Sequence, residues 1–296
     1  MTPQAAHDGT IDPATVDGFG REWARFDHSG MEDARLEAMF ERYVAVFPWC
    51  ELPDGAVGVD VGCGSGRWAA RLAARGVRVV GLDPSVRAVS VARRMLAGAP
   101  GRAVLTATAG ALPFRDASFD FGCALGVLHH THDPGAALRD CVRTLRPGAP
   151  FLVYVYYALD GRPAWFRVVW RATDVARRGL SRLPFRPRYW ATQVIALTVY
   201  WPLARAARLA ERWGASLRTL ELMPLGIYRE ASLYTMRNDA LDRFGTRLEH
   251  RFTRAEVVEL MTRSGLDHVE VSDTAPFWCA VGRAPRDDTS PRGTAP

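Results

Sequence analysis

The run VGVDVGCGSGRWAARLAARGVRVVGLD, residues 57–83, constrains this chain more than any other segment. An apolar strand enters Gly62-x-Gly64-x-Gly66, and a helix follows at once. Glycines there allow a tight turn and let a ligand approach the backbone at a helix N-terminus. A second apolar strand then ends on Asp83, where a carboxylate can accept two hydrogen bonds from ribose hydroxyls. A dinucleotide fingerprint needs G-x-G-x-x-G, and Arg67 stands at its third glycine position. Asp60, just before the turn, would repel a pyrophosphate and suits a cationic amino acid moiety.

The same rhythm continues on both sides of this unit. Residues 56–61, 77–83, 102–108, 119–126 and 151–157 read as strands. Residues 67–75, 85–96 and 135–145 between them read as helices. Such alternation implies a parallel sheet covered on both faces. Residues 31–47 read as a helix that follows a polar, partly flexible arm over 1–30. The rhythm breaks over 158–250 and resumes with a helix at 254–265 and strands at 268–273 and 277–283.

Composition narrows the class. A 48% hydrophobic fraction with 24% charged residues excludes a wholly disordered chain. All 38 basic residues are Arg, which excludes lysine Schiff-base and P-loop chemistry. The five cysteines are scattered, with no C-x-x-C, so neither a zinc site nor a disulfide framework is expected, and no metal is assigned. That cysteine usage and a polar N-terminus without a signal pattern predict a cytoplasmic protein. The longest uncharged run, 189–204, is shorter than the ~20 residues needed to span a bilayer.

These motifs in this order resemble the class I S-adenosylmethionine-dependent methyltransferases. DVGCGSG resembles the family's first motif and VVGLDPS its acidic second-strand motif. ALPFRDASFDFGCALGVLHH, 111–130, resembles the fourth-strand region, and LRPGAPFLV, 145–153, the turn before the fifth strand. The resemblance implies an α/β, Rossmann-like, doubly wound seven-stranded sheet in the order 3-2-1-4-5-7-6, its last strand antiparallel. It also implies S-adenosyl-L-methionine as cofactor. Gly62, Cys63, Gly64 and Gly66 would back its amino acid part, with Asp60 near the ammonium. Asp83 would bind the ribose, and Pro84 and Ser85 would flank the adenine. Thr108 and Ala109 would edge the adenine, and Leu125, Gly126 and Val127 would line the methionine side. The run Thr108-Ala109-Gly110 departs from the family's Asp-Ala-Glu, which leaves the adenine amino group to backbone groups or the Thr108 hydroxyl. The arm FGREWARFD, 19–27, resembles an N-terminal lid segment; packing of Trp23 and Phe26 on outer helices is the alternative.

Methyl transfer to a hydroxyl gains from a general base placed at the C-terminal ends of the strands. His129 and His130 follow the fourth strand and Tyr156 ends the fifth, so these three are the catalytic candidates; cofactor-shelf or core roles are their alternatives. Tyr157, on the opposite face by alternation, joins Tyr228, Arg229, Tyr234, Asn238 and Asp239 as substrate-binding candidates. A salt-bridge network tying a cap to the core would use the same polar residues.

Between 162 and 213 stand eleven Arg against Asp174 and Glu211, an excess larger than the whole chain's +6. The arginines fit solvated helix faces, an anionic or amphiphilic substrate, or a peripheral membrane contact through this segment. Nucleic acid is not expected: no RNA or DNA module is present, and the interleaved aromatics sit at helical spacing, which predicts their burial.

The expected organisation is an N-terminal arm and helix or lid (1–50), a cofactor core (51–157), an inserted helical acceptor-binding cap (158–250), a closing helix and hairpin (251–284) and a disordered tail (285–296). The expected activity is methyl transfer to a small-molecule acceptor, oxygen first, then nitrogen or carbon, in secondary-metabolite or cell-surface biosynthesis of a bacterial kind. An amphiphilic, lipid-like acceptor at a membrane surface is the first alternative. A nicotinamide-dependent oxidoreductase or a non-catalytic cofactor-binding protein is the second.

Overall fold

The computed structural model describes residues 11–27, 33–98, 102–159, 162–276 and 278–286. Most of the arm before Ile11 and the tail beyond Arg286 lie outside these residues, as does Phe277. The chain forms two compact units, one of Met1–Ala158 with Leu248–Pro296 and one of Leu159–Arg247.

The first unit is built on β1 (Val57–Val61), β2 (Arg78–Asp83), β3 (Ala103–Thr106), β4 (Phe121–Leu125), β5 (Pro150–Tyr154), β6 (Asp267–Val271) and β7 (Cys279–Arg283). They form one sheet in the order β3-β2-β1-β4-β5-β7-β6. The first five strands run parallel; β7 lies antiparallel to both β5 and β6. Helices α1 (Pro13–Arg25), α2 (Asp33–Tyr43), α3 (Arg67–Ala74), α4 (Val86–Met95), α5 (Pro134–Arg143) and α11 (Arg254–Arg263) complete the unit. The expected fold class and sheet order are both present.

Strand alternation divides the core into two layers. Val59, Val61, Leu82, Ala124 and Val153 pack with residues of α5 and α11 on one face. Val79, Phe121, Cys123 and Leu152 pack with α2, α3 and α4 on the other. β4 is buried along its whole length, as a central parallel strand covered on both faces must be.

Two local expectations fail. Residues 12–25 are not a flexible arm: Asp12 caps α1 by accepting from the Thr15 N–H at 2.9 Å, and Pro13 supplies the first helical position. The fifth strand also stops at Tyr154, before Tyr156 and Tyr157. Tyr157 makes only an isolated bridge with Phe252, so strand alternation does not set the facing of this pair.

The second unit is helical: α6 (Ala164–Leu180), α7 (Phe185–Ile195), one π-helical turn (Ala196–Tyr200), α8 (Trp201–Arg212), α9 (Leu217–Leu222) and α10 (Leu233–Gly245). Its interior is unusually polar. Arg177 pairs with Asp174 at 2.8 Å and donates to the Thr246 carbonyl at 2.9 Å. Arg188 donates to the carbonyls of Ser181 at 3.2 Å and Gly245 at 3.1 Å. Both guanidiniums thus serve the carbonyl end of α10, where unsatisfied C=O groups and the helix dipole favour cations. These two arginines are structural rather than solvated. The expected burial of the aromatics is also corrected: Tyr189 and Tyr200 are inside, whereas Trp165, Trp190, Trp201 and Trp213 are exposed.

Candidate active site

The glycine turn between β1 and α3 organises the first unit. Gly62, Gly64 and Gly66 have φ of 72°, 55° and 81°, a region that penalises any side chain. The space is closed as well. A Cβ on Gly62 would stand 2.3 Å from a Val127 methyl, and one on Gly64 would stand 2.9 Å from the Trp23 indole. Gly66 is the N-cap of α3 and leaves the helix's first N–H groups without a capping side chain.

Asp83, at the end of β2, is tied to this turn. One carboxylate oxygen accepts from the Gly64 N–H at 3.0 Å and the other from the Ser85 N–H at 2.8 Å. Each oxygen retains a second lone pair for a ligand hydroxyl. Burial raises the Asp83 pKa to about 6, against the lowering effect of the Ser85 and Gly64 N–H groups.

Asp60 sits beneath α3. Val59 and Val61 face one core layer, so alternation turns Asp60 to the other, where the Cys123 thiol donates to it at 3.4 Å. Its second oxygen is buried with no hydrogen-bond partner. Burial pushes the Asp60 pKa up to about 7, helped by the Asp83 charge. The neighbouring Cys63 thiol is also raised by burial and by both aspartates, so it stays protonated and packs against Gly81.

Such raised acids give a signed pH dependence. Between about pH 4 and 7 the folded protein holds more protons on Asp60 and Asp83 than the unfolded chain. Stability from this source is complete below the unfolded pKa and is lost as pH rises through about 6 to 7. The melting temperature of the ligand-free protein is expected to fall between about pH 5 and pH 8. Asp60→Asn should flatten that fall and gain roughly 1–3 kcal/mol at the alkaline end, after the cost of an unpaired amide. Thermal melts across this range, with both proteins, test it.

The remaining cofactor candidates surround the turn. Pro84 and Ser85 follow Asp83, and the Ser85 hydroxyl caps α4. Thr108 and the buried Ala109 lie beyond β3, on the segment where the Ala107 N–H donates to the Asp83 carbonyl at 3.3 Å. Leu125 ends β4, Gly126 turns at φ 83°, and Val127 stands against Gly62.

α1 packs along the same end of the sheet. Gly20 lies flush on Ser85, where a Cβ would meet the hydroxyl at 2.1 Å. Asp17 pairs with Arg87 at 3.0 Å, and the Arg67 guanidinium lies 5.2 Å from the Trp23 ring centroid and 4.5 Å from that of Trp68. Phe19 reaches His130, ring centroids 4.9 Å apart.

The three catalytic candidates cluster. His129 has ring centroids 4.0 Å from those of both His130 and Tyr156. His129 is fully buried, neither ring nitrogen has a partner, and burial with the His130 and Arg251 charges holds its pKa well below the usual range. His130 differs: its Nδ1 lies 2.8 Å from the Leu248 carbonyl. A carbonyl only accepts, so a proton sits on Nδ1, and in the neutral ring Nε2 is the basic nitrogen. Arg251 stacks over Tyr156 at 5.1 Å and donates to the Tyr157 carbonyl at 3.2 Å. The His250 N–H donates to the His129 carbonyl at 2.9 Å; Leu248 and Arg251, which also position this cluster, carry no sequence signal that separates them from other loop residues.

The other substrate candidates belong to the second unit. Tyr228 and Asp239 come together with Tyr200, whose phenol also faces the Asp239 carboxyl. Burial raises Asp239 to about 6. Asn238 keeps a buried side-chain oxygen without a partner. Arg229 is committed to Glu211 at 2.8 Å, and Tyr234 is half-buried on α10. Tyr200 was not among the expected residues; a phenol inside an apolar run gives no warning. Among the described residues no group of His, Cys, Asp and Glu could hold a metal ion.

Comparisons with known proteins agree with this geometry. A methyltransferase-domain family model matches residues 59–153. A 2-phytyl-1,4-naphtoquinone methyltransferase of Thermosynechococcus vestitus is 32% identical over 45% of this chain and 63% of its own length. A 27-O-demethylrifamycin SV methyltransferase of Amycolatopsis mediterranei is 36% identical over 46% of this chain and 53% of its own. The chain thus spans little more than half the length of these relatives. A possible exported protein of Bordetella parapertussis shares the fold at 16% identity, with TM-score 0.50 over 85% of this chain and 67% of its own. Residues 59–153 therefore match a methyltransferase-domain family model and are similar in sequence to small-molecule methyltransferases, as the class I S-adenosylmethionine-dependent resemblance implies.

Proposed function

We propose that this protein transfers the methyl group of S-adenosylmethionine to a small-molecule acceptor, with oxygen as the first choice of atom. The observation that carries the choice is His130, whose ring is anchored through Nδ1 on the Leu248 carbonyl beside the end of β4.

The residues of the turn fit the cofactor. Asp60 offers an orphaned buried acceptor to a cationic group, Asp83 offers lone pairs to ribose hydroxyls, and the closed glycine cradle fits only a ligand that approaches backbone. When bound, S-adenosylmethionine supplies a methyl group carried on a positively charged sulfur. The chain's own residues then have three tasks. The acidic pair neutralises positive charge. α1, with Phe19, Gly20 and Trp23 against His130, Ser85 and the turn, excludes water as a lid. His130 Nε2 accepts the proton that a hydroxyl acceptor sheds, while His129 and Tyr156 hold its ring in place.

Acceptor recognition we assign to the polar interior of the helical unit, Tyr228, Asn238 and Asp239 joined by Tyr200, with Tyr234 as a further contact. Arg229 serves that unit structurally through Glu211. Both relatives are named for small organic acceptors, which supports a small molecule over a protein or nucleic acid. An amphiphilic acceptor is the second reading, favoured by the exposed tryptophans of the helical unit. The setting that fits is secondary-metabolite or cell-surface biosynthesis.

The test is transfer of labelled methyl to a panel of phenols, alcohols and amines. Hydroxyl acceptors should be labelled. His130→Gln should lower kcat by about 10²–10⁴-fold with little change in S-adenosylhomocysteine affinity. Labelling of amines alone, or an unchanged kcat in the variant, would end the oxygen assignment.

A further inference from the structure

We infer that the helical unit, Leu159–Arg247, docks on a bilayer surface bearing anionic headgroups. Two of its helices, α6 and α7, turn polar residues inward and apolar ones outward. On α6 the buried residues are Asp174 and Arg177, the most polar pair the helix has. Its outward stripe is Trp165, Val168, Val169, Ala172, Val175 and Ala176, at the i, i+3, i+4, i+7 spacing of one helix face. Trp165 is 49% exposed, Val168 63% and Val175 71%.

A second stripe repeats the inversion. α7 buries Arg188, Thr192 and Gln193 beside Tyr189. It presents Trp190 and Val194, which continue through the π-helical turn to Leu197 and on to Trp201. Both α6 and α7 turn their polar faces to α10, where Arg237 donates to Gln193 at 2.5 Å and Arg243 to the Thr173 hydroxyl at 2.9 Å. Asp174, Arg177, Gln193 and Thr173 therefore find polar partners inside, and the apolar faces are left for something else to cover. In water the opposite arrangement is the stable one.

The flanks say what covers them. Arg167, Arg171, Arg182, Arg186, Arg208 and Arg212 are exposed beside the stripes, and no acid lies on the exposed faces of α6 or α7. A second copy of the chain meeting face to face would set these arginines against one another without counter-charges. Anionic headgroups supply the counter-charge, and the acyl region accepts Trp, Val and Leu. No helix among the described residues is long and apolar enough to cross a membrane, so the contact is peripheral. The inference does not depend on the identity of the methyl acceptor.

Co-sedimentation of the full chain with phosphatidylcholine vesicles, with and without phosphatidylglycerol, tests it. The protein should partition to the anionic vesicles and retain part of that binding in high salt. The double variant Val168→Glu/Val175→Glu should lose at least about tenfold of the partitioning. Both positions are mostly exposed, so its melting temperature and S-adenosylhomocysteine binding should match wild type. Absence of the wild type from every vesicle pellet would overturn the inference, as would equal partitioning of the variant. A dimer in sedimentation velocity that the variant dissolves, without vesicle binding, would overturn it in favour of a second copy.

Discussion

Replacing Asp83 by alanine is expected to weaken S-adenosylhomocysteine binding by about 10²–10⁴-fold, the loss of two hydrogen bonds to a charged group. The carboxylate contributes twice. It presents lone pairs toward a ribose, and it holds the turn through the Gly64 and Ser85 N–H groups. Alanine leaves both of those donors without their acceptor, so the turn loosens as the ligand contact is lost. Asp83→Asn separates the two effects, because its amide oxygen can still accept from one N–H. Its affinity should fall between wild type and alanine. Because burial already opposes the Asp83 charge, the alanine variant should not be the less stable protein at alkaline pH in proportion to its lost affinity. Titration calorimetry beside thermal melts separates the two quantities.

Gly62→Ala is expected to cost about 2–5 kcal/mol of stability, from left-handed strain of roughly 1–2 kcal/mol and overpacking of roughly 1–3 kcal/mol. The overpacking has one named source, since the new methyl group would stand 2.3 Å from a Val127 methyl. Gly62→Ala/Val127→Ala should therefore recover the steric part and leave the backbone part, which stays at φ 72°. Urea unfolding of the single and double variants measures the division. Equal stabilities for the two would mean that the strain is wholly in the backbone.

What was legible in the sequence follows from which forces are local. The β1-turn-α3 unit could be read because positive φ at three positions admits little besides glycine, and because Asp83 must end a strand to reach the turn. The sheet order came through resemblance and agrees with the register of every strand pair. α1 carried its signal too, Asp12 before Pro13, but a polar neighbourhood obscured it. The helical unit was harder for a physical reason. Amphipathic spacing fixes a helix and its two faces, yet it does not say which face looks inward; that depends on what partner each face finds. Arg177 and Arg188 turn inward because the carbonyl end of α10 is there to receive them, a tertiary fact absent from their spacing. The Nδ1 anchor of His130 is likewise tertiary, since Leu248 is 118 residues away.

The most direct test of the central claim is calorimetric titration of the full chain with S-adenosylhomocysteine, with a nicotinamide dinucleotide as the parallel ligand. One equivalent should bind with micromolar affinity near neutral pH and more weakly as pH falls and Asp60 and Asp83 take up protons. The dinucleotide should not bind. A folded protein that ignores S-adenosylhomocysteine, or that prefers the dinucleotide, would contradict the account.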